Sequence, residues 1–189
     1  MAVTAPDRLH FTGNDEADEL LAREPFALLV GFALDQQVPV QTAFSGPLKL
    51  KQRLGTLDPG KVAATDPAKL EAIFREKPAI HRFPGNMAKR VQGLAAAVSS
   101  EYGGVAERIW SEADDAAELR RRIAALPGFG EMKIKAFSAV LAKRFGVEAA
   151  KELAPSHPTL GDVDSAEALE EYQAKKRAHK AKMRAERSA

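Results

Sequence analysis

Residues 26–34, Phe-Ala-Leu-Leu-Val-Gly-Phe-Ala-Leu, run without a single polar side chain. A helix of that composition has no face to offer water, so other elements must enclose it on every side. The run is too short to span a bilayer, which leaves the centre of a helical bundle as its place. Pro25 suits the first helical turn, and Asp35-Gln36-Gln37 breaks the apolar run. The remaining chain reads as further helices with short breaks and without period-2 alternation, so an all-α fold is expected.

The breaks are marked by proline and glycine. Pro39 can open a helix that runs through about Arg53 and stops at Gly55, with Pro47 expected to kink or split it. Asp58-Pro59 and Asp66-Pro67 each place a capping carboxylate before a proline at the first helical position. The second of these helices ends near Lys77-Pro78. A longer helix carries Met87, Val91, Leu94, Ala95 and Val98 as far as Gly103, and a short one holds Ile109 and Trp110. Asp114 or Asp115 caps the next helix.

That helix leads into residues 126–130, Leu-Pro-Gly-Phe-Gly. Leu119, Ile123 and Leu126 lie at helical spacing before the turn, and Ile134, Phe137 and Leu141 after it. The unit is helix, tight turn, helix. Gly128 and Gly130 can adopt positive φ, Pro127 fixes φ on entry, and the amides that follow are unpaired donors at a helix N-terminus. Such a turn can hold a phosphate. An ordinary helix corner is the alternative.

Charge and composition narrow the partners. The net charge is only +2, but residues 167–189 hold seven Lys or Arg against four Glu, a net +3 that leaves the rest at −1. A nearly neutral body with a basic tail suits modest phosphate contact supplemented by an arm, although a solvated helix end has the same composition. The absence of cysteine rules out disulfides and thiolate-held zinc or iron-sulfur clusters. No metal or other cofactor is expected. His81 and His157 lack metal-ligand spacing, and Trp110 and Phe129 read as packing residues. With no targeting segment apparent at the N-terminus, the expectation is a cytoplasmic, nucleoid-associated monomer without membrane contact.

Three segments together resemble the helix-hairpin-helix (HhH-GPD) superfamily of base excision DNA glycosylases. Leu126, Pro127, Gly128, Phe129 and Gly130 resemble its hairpin. Residues 34–40, Leu-Asp-Gln-Gln-Val-Pro-Val, resemble the stretch after its central helix. Residues 83–98, with Lys89, Arg90 and Leu94, resemble a helix that starts after an aromatic residue and carries Lys or Arg near its start. The similarity runs from about residue 25 to 146, and less fully to 165.

The resemblance implies a bundle of about six helices with a second helical lobe, and a double-stranded DNA partner. The implied division is an N-terminal segment over 1–24, a bundle lobe over 25–133, a second lobe over 134–166 and a basic tail over 167–189. It also implies extrusion of a nucleotide, with Gln37 as the wedge that fills the gap and Gln36 beside it. Breaking an N-glycosidic bond develops positive charge on the sugar, so a carboxylate is required. The family carries an aspartate roughly twenty residues past the hairpin, where this chain has none. The nearest match is Val163-Asp164-Ser165, with Asp162 adjacent and residues 152–159 taken as an insertion. Asp164 and Asp162 are the catalytic candidates, and Asp164 also reads as a helix N-cap.

Asp35, Met132 and His81 are candidate pocket residues. Asp35 stands where the family has Ser or Gly. Met132 occupies the position at which strand-cleaving members place a lysine nucleophile, so monofunctional chemistry that leaves an abasic site is expected. Lys133 is one residue on, turned by about 100° and expected to meet phosphate or solvent. An apolar Met132 tilts the expected substrate toward alkylated purines. Two other readings compete: a noncatalytic DNA-binding or damage-sensing module, and a helical protein with no DNA role.

Overall fold

The computed structural model describes residues 5–188, and among them there are helices and no strand. Ten α-helices follow in order: α1 Asp15–Arg23, α2 Pro25–Leu34, α3 Val40–Leu54, α4 Pro59–Ala64, α5 Pro67–Arg75, α6 Pro84–Tyr102, α7 Arg108–Ser111, α8 Ala116–Ala124, α9 Glu131–Arg144 and α10 Ala166–Ser188. Two 3₁₀ segments, Glu148–Leu153 and Leu160–Asp162, lie between α9 and α10.

The apolar run forms α2, and all of its residues from Phe26 to Leu34 are buried. Helix α3 packs closest to it, for two steric reasons. A Cβ at Gly31 would lie 2.4 Å from Phe44, and one at Gly46 would lie 2.4 Å from Leu34. Both glycines therefore let the two helices approach beyond what alanine permits. Helices α4 and α5 lie against α6, which in turn touches α2. Helix α1 rests on α2 and α3.

A chain of edge-to-face aromatic contacts carries the core across to α9. Phe11 meets Phe44 at 5.1 Å, Phe44 meets Phe32 at 5.0 Å, and Phe32 meets Phe137 at 5.1 Å. Phe137 also contacts Trp110 and Phe129. Each such pair adds about 0.5–1.5 kcal/mol beyond area burial. The consequence is positional: the hairpin is tied through Phe129 and Phe137 to the central helix.

The punctuation behaves as the residues dictate, with corrections. Pro25 is the first residue of α2, Asp58 and Asp66 cap α4 and α5 through their side chains, and Asp115 caps α8. Pro47, expected to kink or split α3, does not split it: the helix is continuous from Val40 to Leu54. Its ring removes a single amide donor, and burial of Ala43, Phe44, Gly46 and Leu50 around it holds the helix together.

Of residues 152–159, expected to loop out as an insertion, 154–159 are irregular and 156–158 exposed, while the flanking segments pack on the body. The 3₁₀ segment Glu148–Leu153 packs on α9 and α8, and Leu160–Asp162 packs on α9. Gly161 permits this second approach, since a Cβ there would lie 2.5 Å from the Ala139 carbonyl oxygen. Only the short stretch between the two segments is irregular.

The basic tail is helical. It is the outer part of α10, which is anchored by buried Leu169 and half-buried Tyr172 at its root.

Candidate DNA-facing site

The hairpin between α8 and α9 is held by the amide of Leu126 donating to Ile123 and that of Phe129 donating to Leu126. Leu126 and Phe129 are buried, which leaves the glycines at the surface turn. Gly128 has φ +82°, where a Cβ is strained. Gly130, expected to share that freedom, has φ −82° and serves as the extended N-cap of α9. A glycine N-cap has no side chain to satisfy the first-turn amides, so the donors of Glu131, Met132 and Lys133 remain open. The Glu131 carboxylate beside them is neutralised by a two-pronged pairing with Arg120, at 2.9 and 2.5 Å. An anion can approach this end.

The loop after α2 stands next to the hairpin. Arg90 of α6 connects them: its Nη1 donates to Oε1 of Gln36, and its Cδ lies 2.6 Å from where a Cβ of Gly128 would sit. Gln36 and Gln37 are exposed, and Gln37 takes φ +58°, unusual for a residue with a side chain. His81 fixes this loop from beneath. Its Nε2 donates to the carbonyls of Leu34 and Gln36, both at 3.1 Å, and its Nδ1 accepts from the Phe83 amide at 3.0 Å. That pattern demands a neutral ring with the proton on Nε2. Burial lowers the imidazole's affinity for a second proton, assisted by the nearby charges of Arg90 and Lys133. His81 is thus a support of the wedge loop and is itself buried. Phe83, 37% exposed and stacked under Arg82, presents an aromatic face beside it.

Between loop and hairpin lies a charged cluster. Asp35 is the C-cap of α2, half-buried, and burial holds its carboxyl above the usual range against the pull of Lys176 and Lys133. The Lys133 ammonium donates to the Ala33 carbonyl at 3.1 Å. Burial lowers its pKa to about 8, Arg90 acts in the same direction, and Asp35 opposes it. Tyr172 of α10 feels the same carboxylate: its hydroxyl is pushed up by burial and by the charge of Asp35.

Neighbouring residues at the start of α9 point different ways. Met132 is 86% exposed, whereas Lys133, expected to meet phosphate or solvent, is half-buried and turned toward the Ala33 carbonyl. The reason is helical phase. With Ile134, Phe137 and Leu141 facing the core, about 100° per residue puts Met132 on the opposite side and Lys133 on the flank nearest α2.

The downstream aspartates separate. Asp162 takes part in a capping box with Thr159 and pairs with Lys143 at 2.7 Å. Burial opposes ionisation, but those hydrogen bonds hold its carboxyl below the usual range. Its oxygens are committed to structure. Asp164 is exposed and, among the described residues, makes no hydrogen bond or ion pair; Ser165 takes the capping role by accepting from the Ala168 amide at 3.1 Å.

The participation of Tyr172 and Lys176 is not apparent in the sequence reading. The available signal was Leu169-x-x-Tyr172, an apolar pair at helical spacing in an otherwise polar stretch.

A cavity of about 690 Å³ lies elsewhere. It is lined by Ala22, Pro25, Trp110 and Phe145 among others, at the end of α2 opposite Asp35. Among the described residues, no helix is long and apolar enough to cross a membrane.

The model of the HhH-GPD superfamily of base excision DNA repair proteins matches residues 30–188, a span that takes in the wedge loop, α6, the hairpin and α10. No curated protein and no solved structure matched the chain. A hairpin with open amides, a glutamine loop beside it and a helical core joining the two agree with that match, and the chain belongs to the HhH-GPD superfamily of base excision DNA repair proteins.

Proposed function

We propose that the chain is a monofunctional DNA glycosylase, which hydrolyses the N-glycosidic bond of a damaged or mispaired base in duplex DNA and leaves an abasic site. One observation carries this reading: the wedge loop, the hairpin and a desolvated carboxylate converge at one end of α2, with Arg90 bridging the first two. In the reaction the bond between C1′ and the base nitrogen breaks, the base departs with the electron pair, and water adds to the cationic sugar. Asp35 stabilises that cation and accepts the proton that water releases. A carboxyl held above its usual range by burial suits proton acceptance better than a fully solvated one. Asp164 is the second candidate for this role, free of partners at the root of α10. Gln37 fills the gap left by the extruded nucleotide, and Gln36, oriented by Arg90, faces the orphaned base.

Hydrolysis is favoured over strand cleavage because Met132 stands where strand-cleaving members place their lysine, and the neighbouring Lys133 amine is occupied as a donor to the Ala33 carbonyl. A free, neutral amine is what attack at C1′ requires. Incubation with duplexes carrying uracil, alkylated purines, oxidised purines or mismatches, followed by alkali, tests the reading. Release of a base, greatly reduced in Asp35→Asn or Asp164→Asn and unchanged in Asp162→Asn, is expected. No release from any duplex would leave a noncatalytic DNA-binding module in its place.

A further inference from the structure

Helix α10 is built in two parts that share one stripe. At its root, Leu169 is buried while Tyr172 and Gln173 are half-buried, so this face lies against the body. At about 100° per residue the same face continues through Lys176, Lys180, Arg184 and Arg187. All four are exposed. The stripe thus changes from apolar to cationic where the helix leaves the protein; of the acidic residues of α10, Glu170 flanks the stripe and Glu167, Glu171 and Glu186 fall on other sides. From Lys176 to Arg187 the cationic part extends for about 16 Å. A solvated face would have no reason to keep phase with the buried one.

We propose that this inward-facing basic stripe of α10 is a second DNA-binding surface, which grips the phosphate backbone of the duplex beyond the hairpin. The proposal rests on the reading that duplex DNA docks at the wedge and hairpin. Charge complementarity names the occupant: a duplex lying over Asp35 borders the face that carries the stripe, and it presents one negative charge per about 1.7 Å of axis. The hairpin end supplies backbone donors, and the body's Lys and Arg are offset by slightly more Asp and Glu, so α10 provides the long-range attraction that the nearly neutral body lacks.

The test compares two double variants in the full chain. Lys180→Ala/Arg184→Ala removes two stripe charges, and Lys175→Ala/Lys182→Ala removes two charges from the opposite side. Alanine preserves the helix in both. Affinity for a duplex of about two helical turns is measured against salt concentration, with Gly128→Val as the hairpin control. The stripe variant is expected to lose about 2 from the slope of log K against log salt, while the opposite-side variant loses far less. Over a fourfold fall in salt, that difference gives the wild type roughly tenfold more gain in affinity than the stripe variant.

Equal slopes in the two variants would overturn the proposal, since a diffuse charge effect has no face. So would a stripe variant that binds like wild type while Gly128→Val binds weakly, a result that leaves the hairpin reading intact and points α10 toward an acidic protein partner. Failure of the wild type to bind duplex DNA removes both readings.

Discussion

Arg90 of α6 donates to the side chain of Gln36 while its aliphatic part lies over Gly128, so one residue sets the spacing between wedge loop and hairpin. Replacement by alanine frees the glutamine and removes the cation. A hydrogen bond to a charged group contributes about 1.5–3 kcal/mol, so duplex affinity should fall about tenfold or more in Arg90→Ala. Arg90→Lys should recover only part of this, because an ammonium keeps the charge without the planar fork. Fluorescence anisotropy with a labelled duplex checks both.

The two hairpin glycines should respond differently. Gly128→Ala introduces a Cβ at φ +82° and 2.6 Å from the Arg90 side chain, at a cost of about 1–3 kcal/mol in stability. Gly130→Ala meets nothing within 4 Å at an ordinary φ and should be nearly neutral. Chemical denaturation of both variants distinguishes them; equal losses would contradict the assigned conformations.

His81 gives the fold a pH dependence. Its imidazole is held below its ordinary pKa by burial, so the unfolded chain binds the proton more readily than the folded one. The stability contributed by neutral His81 is fully present above about pH 6.5 and declines as pH falls below it. His81→Gln, which keeps a donor for the Leu34 and Gln36 carbonyls, should flatten the denaturation midpoint between about pH 6.5 and 5.

Asp35 works in the opposite direction. A carboxyl held above its usual range costs stability at neutral pH, because the folded state takes up its proton at a higher pH than the unfolded chain does. Asp35→Asn should therefore raise the melting temperature at pH 7 while it reduces base release. Gain of stability with loss of activity is the mark of a group retained for function. A fall in both would assign Asp35 a structural role instead.

Borohydride reduction probes Lys133. With its amine engaged by Ala33, no covalent complex with an abasic-site duplex should be trapped. A trapped complex lost in Lys133→Ala would mean that the chain also cleaves the strand.

Much of this architecture is legible in the residues themselves. The nine apolar residues of α2 demand a central helix, and the Asp-Pro pairs announce α4 and α5, because those signals are local. Pro47 does not split α3, because tertiary burial outweighs one lost hydrogen bond. The inward turn of Lys133 and the outward turn of Met132 depend on the phase of α9, which its core residues set and family spacing does not. Asp162 looks catalytic by position yet is consumed by Thr159 and Lys143, contacts that arise only when the 3₁₀ segment folds back on α9. The electrostatic coupling of Tyr172 with Asp35 joins residues far apart in the chain, and no local pattern encodes it.

The most direct measurement is release of a free base from duplexes that each carry one modified or mispaired base, made with wild type, Asp35→Asn and Asp164→Asn at matched, saturating enzyme. The expected result is release from at least one duplex by wild type, alkali-labile abasic product, and a rate about 100-fold or more lower in Asp35→Asn with duplex binding retained. Wild-type rates in Asp35→Asn, or no release by wild type from any duplex, would contradict a glycosylase whose chemistry is centred on Asp35.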